Sequence, residues 1–259
     1  MRGRKRVVVF ALVGLILLIA GSFIAVDWMI FLLGIKTIYA GVAKPVVSSI
    51  CLLLVSLIGR DGIDRRDTAL LIFAFVCIVP VDVLMSVVVF YPGMTVASPA
   101  FMVGGVLSIV ADVLLIIRHG RGFPYLRGIT GTSKPRANRG SFIWLPLLVY
   151  GIAVAVLIPL FKDMARVGHL TIGLVYSFFV AASMWVGWET VRQRLYPRLN
   201  AWMIGIGTTC WLITEITGEI YNIQIGRISN IAFNFVWIFY GTCIVCLALS
   251  GYRWGNSGG

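Results

Sequence analysis

The chain has 259 residues, of which 59% are apolar and 12% charged, and 22 lysines and arginines against 10 aspartates and glutamates give a formal net charge of +12. A mean hydropathy of +0.96 excludes an ordinary soluble domain, which carries about twice this charged fraction. Collagen-like and disordered chains are excluded by the apolar content, and a disulfide scaffold is excluded because five cysteines are too few. These exclusions leave an integral membrane protein.

Eight stretches are apolar enough to cross a bilayer as α-helices of about 20 residues each. In chain order they cover residues 7–26, 38–59, 68–90, 98–117, 142–161, 170–188, 200–221 and 231–251. The second span is the least regular, and Pro45 is expected to kink or restart its helix. The chain is therefore predicted to be all-α, with residues 1–259 forming one integral-membrane domain, a polytopic transmembrane bundle of eight spans.

Lysine and arginine residues are concentrated in alternate connections between these spans. Seventeen lie at the two termini and after spans 2, 4 and 6, whereas the connections after spans 5 and 7 hold Lys162, Arg166 and Arg227. Because positive residues in short loops remain in the cytoplasm, both termini are predicted to be cytoplasmic. The multi-pass protein is expected in a bacterial cytoplasmic (inner) membrane.

The longest polar stretch, residues 118–141, is predicted to be a basic cytoplasmic loop. It could contact anionic lipid headgroups, but a solvated orientation signal is the simpler interpretation. The basic residues are scattered over loops and tails without a nucleic-acid-binding motif, so no nucleic-acid partner is expected.

Five charged residues lie inside predicted spans, namely Lys44, Asp82, Asp112, Glu215 and Glu219. A charge in hydrocarbon is costly, so each is expected to face the bundle interior, to pair, or to carry a neutralising proton. Counting along the helices puts Lys44, Asp82 and Glu215 at similar depth in the outer half of the membrane, which predicts one buried polar cluster. Asp112 counts to the inner half; either its helix begins deeper than drawn or Asp112 serves another site.

Two spans carry polar and aromatic residues at helical spacing, which puts those residues on one face of each helix. They are Thr208, Trp211, Glu215, Glu219 and Asn222 in span 7, and Asn230, Asn234, Trp237 and Gly241 in span 8. These faces could line a pocket that opens toward the outer leaflet, or they could pack helices through hydrogen bonds.

No metal or cofactor site is predicted. Cys243 and Cys246 form a CxxC without a second ligand pair, and His119 and His169 lie far apart in the sequence. The motifs of serine hydrolases, zinc proteases, nucleotide hydrolases and dinucleotide-binding enzymes are absent from the sequence. Gly104, Gly105, Gly205 and Gly207 are expected to permit close helix contacts.

Five motifs between Lys44 and Ser250 resemble the lysoplasmalogenase (YhhN-like) family of eight-span membrane proteins. They are Lys44-Pro45, FAFVCIVPVDVLM with Asp82, FMVGGVLSIVADVLL, TTCWLITEITGEI and VWIFYGTCIVCLALS. Some positions differ from the family pattern: Asp112 stands where the family has His, Thr214-Glu215 where it has Ser-Asp, and Cys243 where it has Gln.

The resemblance implies cleavage of the vinyl-ether bond of a lysoplasmalogen, with release of a fatty aldehyde. Asp82 and Glu215 would be the acid/base pair of this reaction, without a cofactor, since protonation of an enol ether and attack by water need only carboxyl chemistry. Lys44, Asp112, Glu219, Asn234 and Tyr240 are the candidate substrate-binding residues. The expected partners are a lysophospholipid or another single-chain lipid and the bilayer itself.

Two other classes of function remain open. The altered family positions fit a non-catalytic lipid-binding or signalling protein that retains the fold. Buried carboxylates also occur in proton- or cation-coupled transporters, although these would favour polar faces that run through the whole membrane.

Overall fold

The computed structural model describes residues 3–33, 39–90, 98–121, 144–222 and 226–254. Within these ranges the chain forms eight α-helices, one short 3-10 turn over Gly59–Asp61, and no β-strand. The helices are α1 (Gly3–Leu33), α2 (Tyr39–Ile58), α3 (Arg65–Phe90), α4 (Pro99–His119), α5 (Trp144–Arg166), α6 (Leu170–Gln193), α7 (Arg198–Asn222) and α8 (Gly226–Leu249). The prediction of an all-α chain is confirmed for this part of the molecule. Most of the predicted basic loop 118–141, namely residues 122–141, lies outside the described residues.

Five of the described helices, α1, α3, α4, α5 and α6, are long and apolar enough to cross a membrane. Shorter apolar stretches occur in α2 over Val42–Ile58 and in α8 over Phe235–Leu249. Large apolar side chains remain exposed on the outside of the bundle; Leu18 is 68% exposed and Trp144 is 71% exposed. Such surfaces are consistent with an integral membrane protein, because lipid rather than water would contact them.

Helix α2 is continuous across Pro45, so it does not restart there. Proline lacks a backbone N–H and therefore removes one hydrogen bond from the helix. One turn later, the Ser48 hydroxyl donates back to the carbonyl oxygens of Lys44 at 3.1 Å and of Pro45 at 3.2 Å. Lys44 therefore lies within a continuous helix.

Seven helices pack side by side in a closed ring, in the order α1, α2, α3, α4, α6, α7, α8 and back to α1. Helix α5 lies outside this ring and packs mainly against α6. The interior of the ring holds the main apolar core, in which Ile16, Phe75 and Trp237 are almost fully buried. The position of α5 creates a second space, between the ring and its outermost helix.

Glycines allow close contacts between neighbouring helices. A Cβ on Gly104 would lie 3.0 Å from Met85 Cε on α3, and one on Gly105 would lie 2.9 Å from Ile172 Cγ1 on α6. A Cβ on Gly207 would likewise lie 3.0 Å from Leu247 Cγ on α8. The sequence-based expectation of close packing at these glycines is therefore confirmed.

Candidate functional site

The ring interior contains a polar group built from α2, α3 and α8. The Tyr240 hydroxyl donates a hydrogen bond to Asp82 Oδ2, and Asp82 is buried. The Lys44 Nζ lies 5.0 Å from the centre of the Tyr240 ring and 5.9 Å from that of Trp237. Lys44 is also close enough to interact electrostatically with the Asp82 carboxylate. Lys44, Asp82 and Tyr240 thus share one site, although they come from helices far apart in the sequence.

Glu215 on α7 extends this group toward α6. Its carboxyl group is within electrostatic range of Lys44 and Asp82, and it is hydrogen-bonded by the Tyr176 hydroxyl. The structure therefore brings together the three charges that sequence counting placed at one depth. Tyr176 is a member of the site that the sequence did not reveal, because one tyrosine in an apolar span carries no distinguishing pattern.

Asp112 on α4 lies beside the same group rather than at a separate site. It is fully buried, and its neighbours include Glu215 and the Ser183 hydroxyl. Of the two alternatives left open by the sequence, the structure thus favours a common site. Counting residues from the helix ends misjudged the depth of Asp112, because it assumes that every helix is upright and begins at the same level. Packed helices tilt and shift along their axes.

A narrow, partly open groove lies between α5, α6 and α7. Most of its wall is apolar, and Glu215 and Glu219 supply its two carboxyl groups. The remaining lining residues are Ala153, Val156, Leu157, Leu160, Tyr176, Ser177, Val180, Leu212 and Ile216. Glu215 therefore connects two environments, since it lines the groove and also interacts with Lys44 and Asp82 inside the ring.

Glu219 has a partner that the sequence analysis set aside. His169 Nε2 and Glu219 Oε1 are 2.8 Å apart, and the two side chains are only 4% and 11% exposed. The ring of Phe101 packs edge-on against the imidazole, with ring centres 5.0 Å apart. A histidine fifty residues away in sequence cannot be assigned to Glu219 from spacing alone.

Some residues of the two predicted polar faces form helix contacts, and others belong to the candidate site. On α7, Thr208 packs against Gly187 on α6, whereas Glu215 and Glu219 line the groove. On α8, Trp237 faces Lys44, and Gly241 faces Ala20 on α1. The side chain of Asn234, a predicted substrate-binding residue, lies outside the described residues.

A second buried polar cluster, which we call the end cluster, consists of Asp67, Arg118, Tyr196 and Ser250. Arg118 Nη2 and Asp67 Oδ2 form an ion pair at 2.9 Å, and both side chains are 0% exposed. Arg118 also donates to Ser250 Oγ at 2.9 Å. Tyr196 donates to Asp67 Oδ1 at 2.8 Å, and its oxygen lies 2.6 Å from the Arg118 carbonyl oxygen. The interpretation of Arg118 as a solvated loop cation is wrong, since the side chain turns back into the bundle.

The end cluster ties the start of α3, the end of α4, the α6–α7 connection and the end of α8 to one another. Burial and the nearby Asp67 carboxylate raise the pKa of Tyr196 well above its usual range. The phenol therefore remains a neutral hydrogen-bond donor at physiological pH. Because its charges are fully internal, we assign this cluster a structural role.

Among the described residues, no group of three or more His, Cys, Asp or Glu side chains has the geometry to hold a metal ion. The five cysteines are unpaired, and Cys243 of the CxxC is fully buried within the core. The functional candidates are therefore the carboxyl groups, Lys44, the tyrosines and His169.

Comparison of the chain with protein-family models, with curated proteins and with solved structures finds no match.

Proposed function

We propose that this chain is a membrane-embedded hydrolase that cleaves the vinyl-ether bond of a lysoplasmalogen-type lysophospholipid and releases a fatty aldehyde. The observation that carries the proposal is the groove between α5, α6 and α7, which is apolar along its walls and presents Glu215 to its contents. The motif resemblance between Lys44 and Ser250 supports the same reaction.

The groove suits a single-chain lipid. Leu157, Leu212 and Val180 provide an apolar wall for one hydrocarbon chain. Exposed apolar residues such as Ile158 and Phe161 lie on the adjoining outer face of α5. A lipid in the bilayer could therefore enter the groove sideways without leaving an apolar environment.

The polar groups suit enol-ether chemistry. Protonation of the vinyl carbon produces an oxocarbenium-like cation, which a nearby carboxylate stabilises and water attacks. Glu215 lines the groove and is the proton donor in this scheme. In this scheme Asp82, which accepts a hydrogen bond from Tyr240 and lies within electrostatic range of Lys44, supplies the negative charge that favours the cationic intermediate.

We further propose that all eight helices cross the membrane, with both termini and the 118–141 loop in the cytoplasm of a bacterial cell. The alternation of positive residues along the sequence supports this arrangement. Helices α2, α7 and α8, with 20, 25 and 24 residues, have the length that a membrane crossing needs.

A non-catalytic lipid-binding protein is the second candidate. Asp112 and Cys243 replace a His and a Gln of the motif pattern, and both are fully buried beside the proposed site. Such a protein would use the same groove for a lipid and would release no aldehyde.

Aldehyde release by the purified protein tests the enzyme directly. The wild type is expected to hydrolyse a vinyl-ether lysophospholipid but not the matching ester lysophospholipid. Glu215→Gln should lower kcat by about 100-fold or more, the usual effect of removing an acid/base group. Asp82→Asn should also lower kcat, because it removes the negative charge that favours the cationic intermediate. Asp163→Asn, which removes a partly exposed carboxylate paired with Arg166 at 3.3 Å, is the matched control and should retain activity. Binding of the vinyl-ether lipid without any turnover would favour the second candidate.

A further inference from the structure

Two carboxyl groups face the groove from the same helix. Glu215 and Glu219 are four residues apart on α7, so they lie one turn apart, about 6 Å along the helix axis, on a common face. Both line the groove, whereas Asp82 is not among the groove-lining residues. A molecule in the groove would therefore contact Glu215 and Glu219 rather than Glu215 and Asp82.

Glu219 has one oxygen engaged and one available. Its Oε1 accepts the hydrogen bond from His169, and a carboxylate can only accept, so the hydrogen resides on His169 Nε2. Its Oε2 is buried and has no hydrogen-bond partner among the described residues. Buried carboxylate oxygens normally have a partner, so an unfilled one beside an open groove indicates a place for water or substrate.

The backbone of His169 is held by hydrogen bonds to both its N–H and its carbonyl group, and Phe101 packs against its ring. Its backbone N–H donates to the Met164 carbonyl oxygen at 2.9 Å, and its carbonyl oxygen accepts from the Gly173 N–H at 3.0 Å. Phe101 covers one edge of the imidazole. A Cβ on Gly173 would lie 3.3 Å from His169 Cδ2, so the absence of a side chain at Gly173 makes room for the imidazole. The imidazole therefore fixes the direction in which Glu219 points.

Building on the hydrolase function proposed above, we propose that Glu219 is the base that activates the attacking water and that His169 is its positioning residue. Glu215, protonated, gives its proton to the vinyl carbon remote from the ether oxygen, which leaves an oxocarbenium ion and the Glu215 carboxylate. Water then forms the new C–O bond and passes a proton to Glu219, which yields a neutral hemiacetal.

Collapse of the hemiacetal completes the cycle. The bond between its carbon and the ether oxygen breaks as the hemiacetal hydroxyl gives its proton to Glu215 and Glu219 gives its proton to the departing alcohol oxygen. The products are the fatty aldehyde and the glycerophospho alcohol, and both carboxyl groups return to their starting states. One acid and one base beside an oxocarbenium-like centre is also the arrangement that glycoside hydrolases use.

The experiment measures aldehyde release from a vinyl-ether lysophospholipid by wild type, Glu219→Gln, Glu219→Ala and Asp163→Asn. Glu219→Gln retains the size of the side chain and an oxygen that accepts from His169, so the bundle should remain folded while kcat falls by about 100-fold. Glu219→Ala opens space for a small carboxylate, and added formate should restore its kcat at least about tenfold. A purely structural role for Glu219 would show no such rescue.

The role of His169 is tested by comparing the effect of a substitution on kcat with its effect on KM. His169→Ala should lower kcat by about 10- to 100-fold, the effect of losing a hydrogen bond to a charged group, with little change in KM. His169→Gln, whose amide can still donate, should recover part of the loss. This inference is overturned, and the hydrolase function is not, if the wild type turns over the lipid and Glu219→Gln has an unchanged kcat. The same holds if the wild type is active and formate does not rescue Glu219→Ala. No aldehyde release by folded wild type would overturn the hydrolase function and this inference with it.

Discussion

Lys44 and Arg118 each lie beside both a carboxylate and an aromatic ring. Lys44 interacts with Asp82 and lies over the Tyr240 ring at 5.0 Å. Arg118 pairs with Asp67 and lies over the Tyr196 ring at 5.6 Å. Where water is excluded, the opposite charge and the electron-rich ring replace part of the lost hydration. The same arrangement thus serves the proposed site and the end cluster.

Removing the cation of the end cluster should destabilise the protein strongly. Arg118→Ala removes the fully buried partner of Asp67 and leaves that carboxylate with Arg121 at 3.6 Å as its remaining counter-charge. The loss of one member of a buried pair costs roughly 3–5 kcal/mol of folding free energy. Thermal or denaturant unfolding of the detergent-solubilised variant measures this change.

An exposed pair supplies the comparison for Arg118. Arg166 is 72% exposed and pairs with Asp163, so Arg166→Ala should cost less than about 1 kcal/mol. If both variants lost the same free energy of unfolding, Asp67 would have to be reached by water or neutralised in another way.

Helix α6 packs against three helices, α4, α5 and α7. Its buried face accommodates this with small residues such as Gly173, Ala181 and Gly187. Tyr176 on the same helix reaches Glu215, and His169 at its start reaches Glu219. The spacing between α6 and α7 therefore determines whether two polar contacts of the proposed site form.

A methyl group at the α6–α7 contact should separate these helices. A Cβ on Gly187 would overlap Thr208 Oγ1 and lie 3.2 Å from Thr208 Cβ, and Thr208 is fixed by a 2.9 Å hydrogen bond to the Ile204 carbonyl. Gly187→Ala is expected to lower the free energy of unfolding by about 1–3 kcal/mol, the usual cost of overpacking. Chemical or thermal unfolding in detergent gives the value.

Gly151→Ala on α5 is the matched substitution for Gly187→Ala. Apart from the adjoining backbone of its own helix, no atom of the described residues lies within 4 Å of the added Cβ. The substitution should therefore be neutral or slightly stabilising, because alanine favours helix by about 1 kcal/mol over glycine. A destabilised Gly151→Ala, or a neutral Gly187→Ala, would contradict the packing assigned to these helices.

At the scale of the whole molecule, the closed ring of seven helices separates two environments. Its interior holds Lys44, Asp82 and Asp112, and α5 outside the ring forms the groove with α6 and α7. Glu215 lies where these environments meet. An eighth helix beside a complete ring thus forms a groove next to buried charges without opening the ring.

The proposed topology predicts that the two ends of α6 lie on opposite sides of the membrane. Arg166 and Leu199 are exposed and lie just before and just after this helix, which is about 36 Å long at 24 residues. In intact bacterial cells, a membrane-impermeant maleimide applied from outside should label Arg166→Cys and should label Leu199→Cys only after permeabilisation. Labelling of both cysteines from outside would contradict a crossing by α6, and the reverse pattern would invert the assigned orientation. The wild-type chain, with its five cysteines, gives the background labelling.

The sequence by itself determined the all-α class, the apolar helices and the most informative charged residues. Helical periodicity and hydropathy are local properties, and a charge such as Asp82 or Glu215 stands out in an apolar stretch because burying it is costly. Close contacts at Gly104 and Gly207 could be predicted for the same reason, since a missing side chain is visible in the sequence.

Only the tertiary structure decided which of these residues meet. In the folded chain Asp112 lies close to Glu215, and the Arg118 side chain is buried in the bundle rather than in the predicted loop. Glu219 pairs with His169. The tertiary structure also placed α5 outside the ring, which creates the groove. Helix tilt, rotation and neighbour order arise from packing between segments far apart in the chain, and hydropathy carries no information about them.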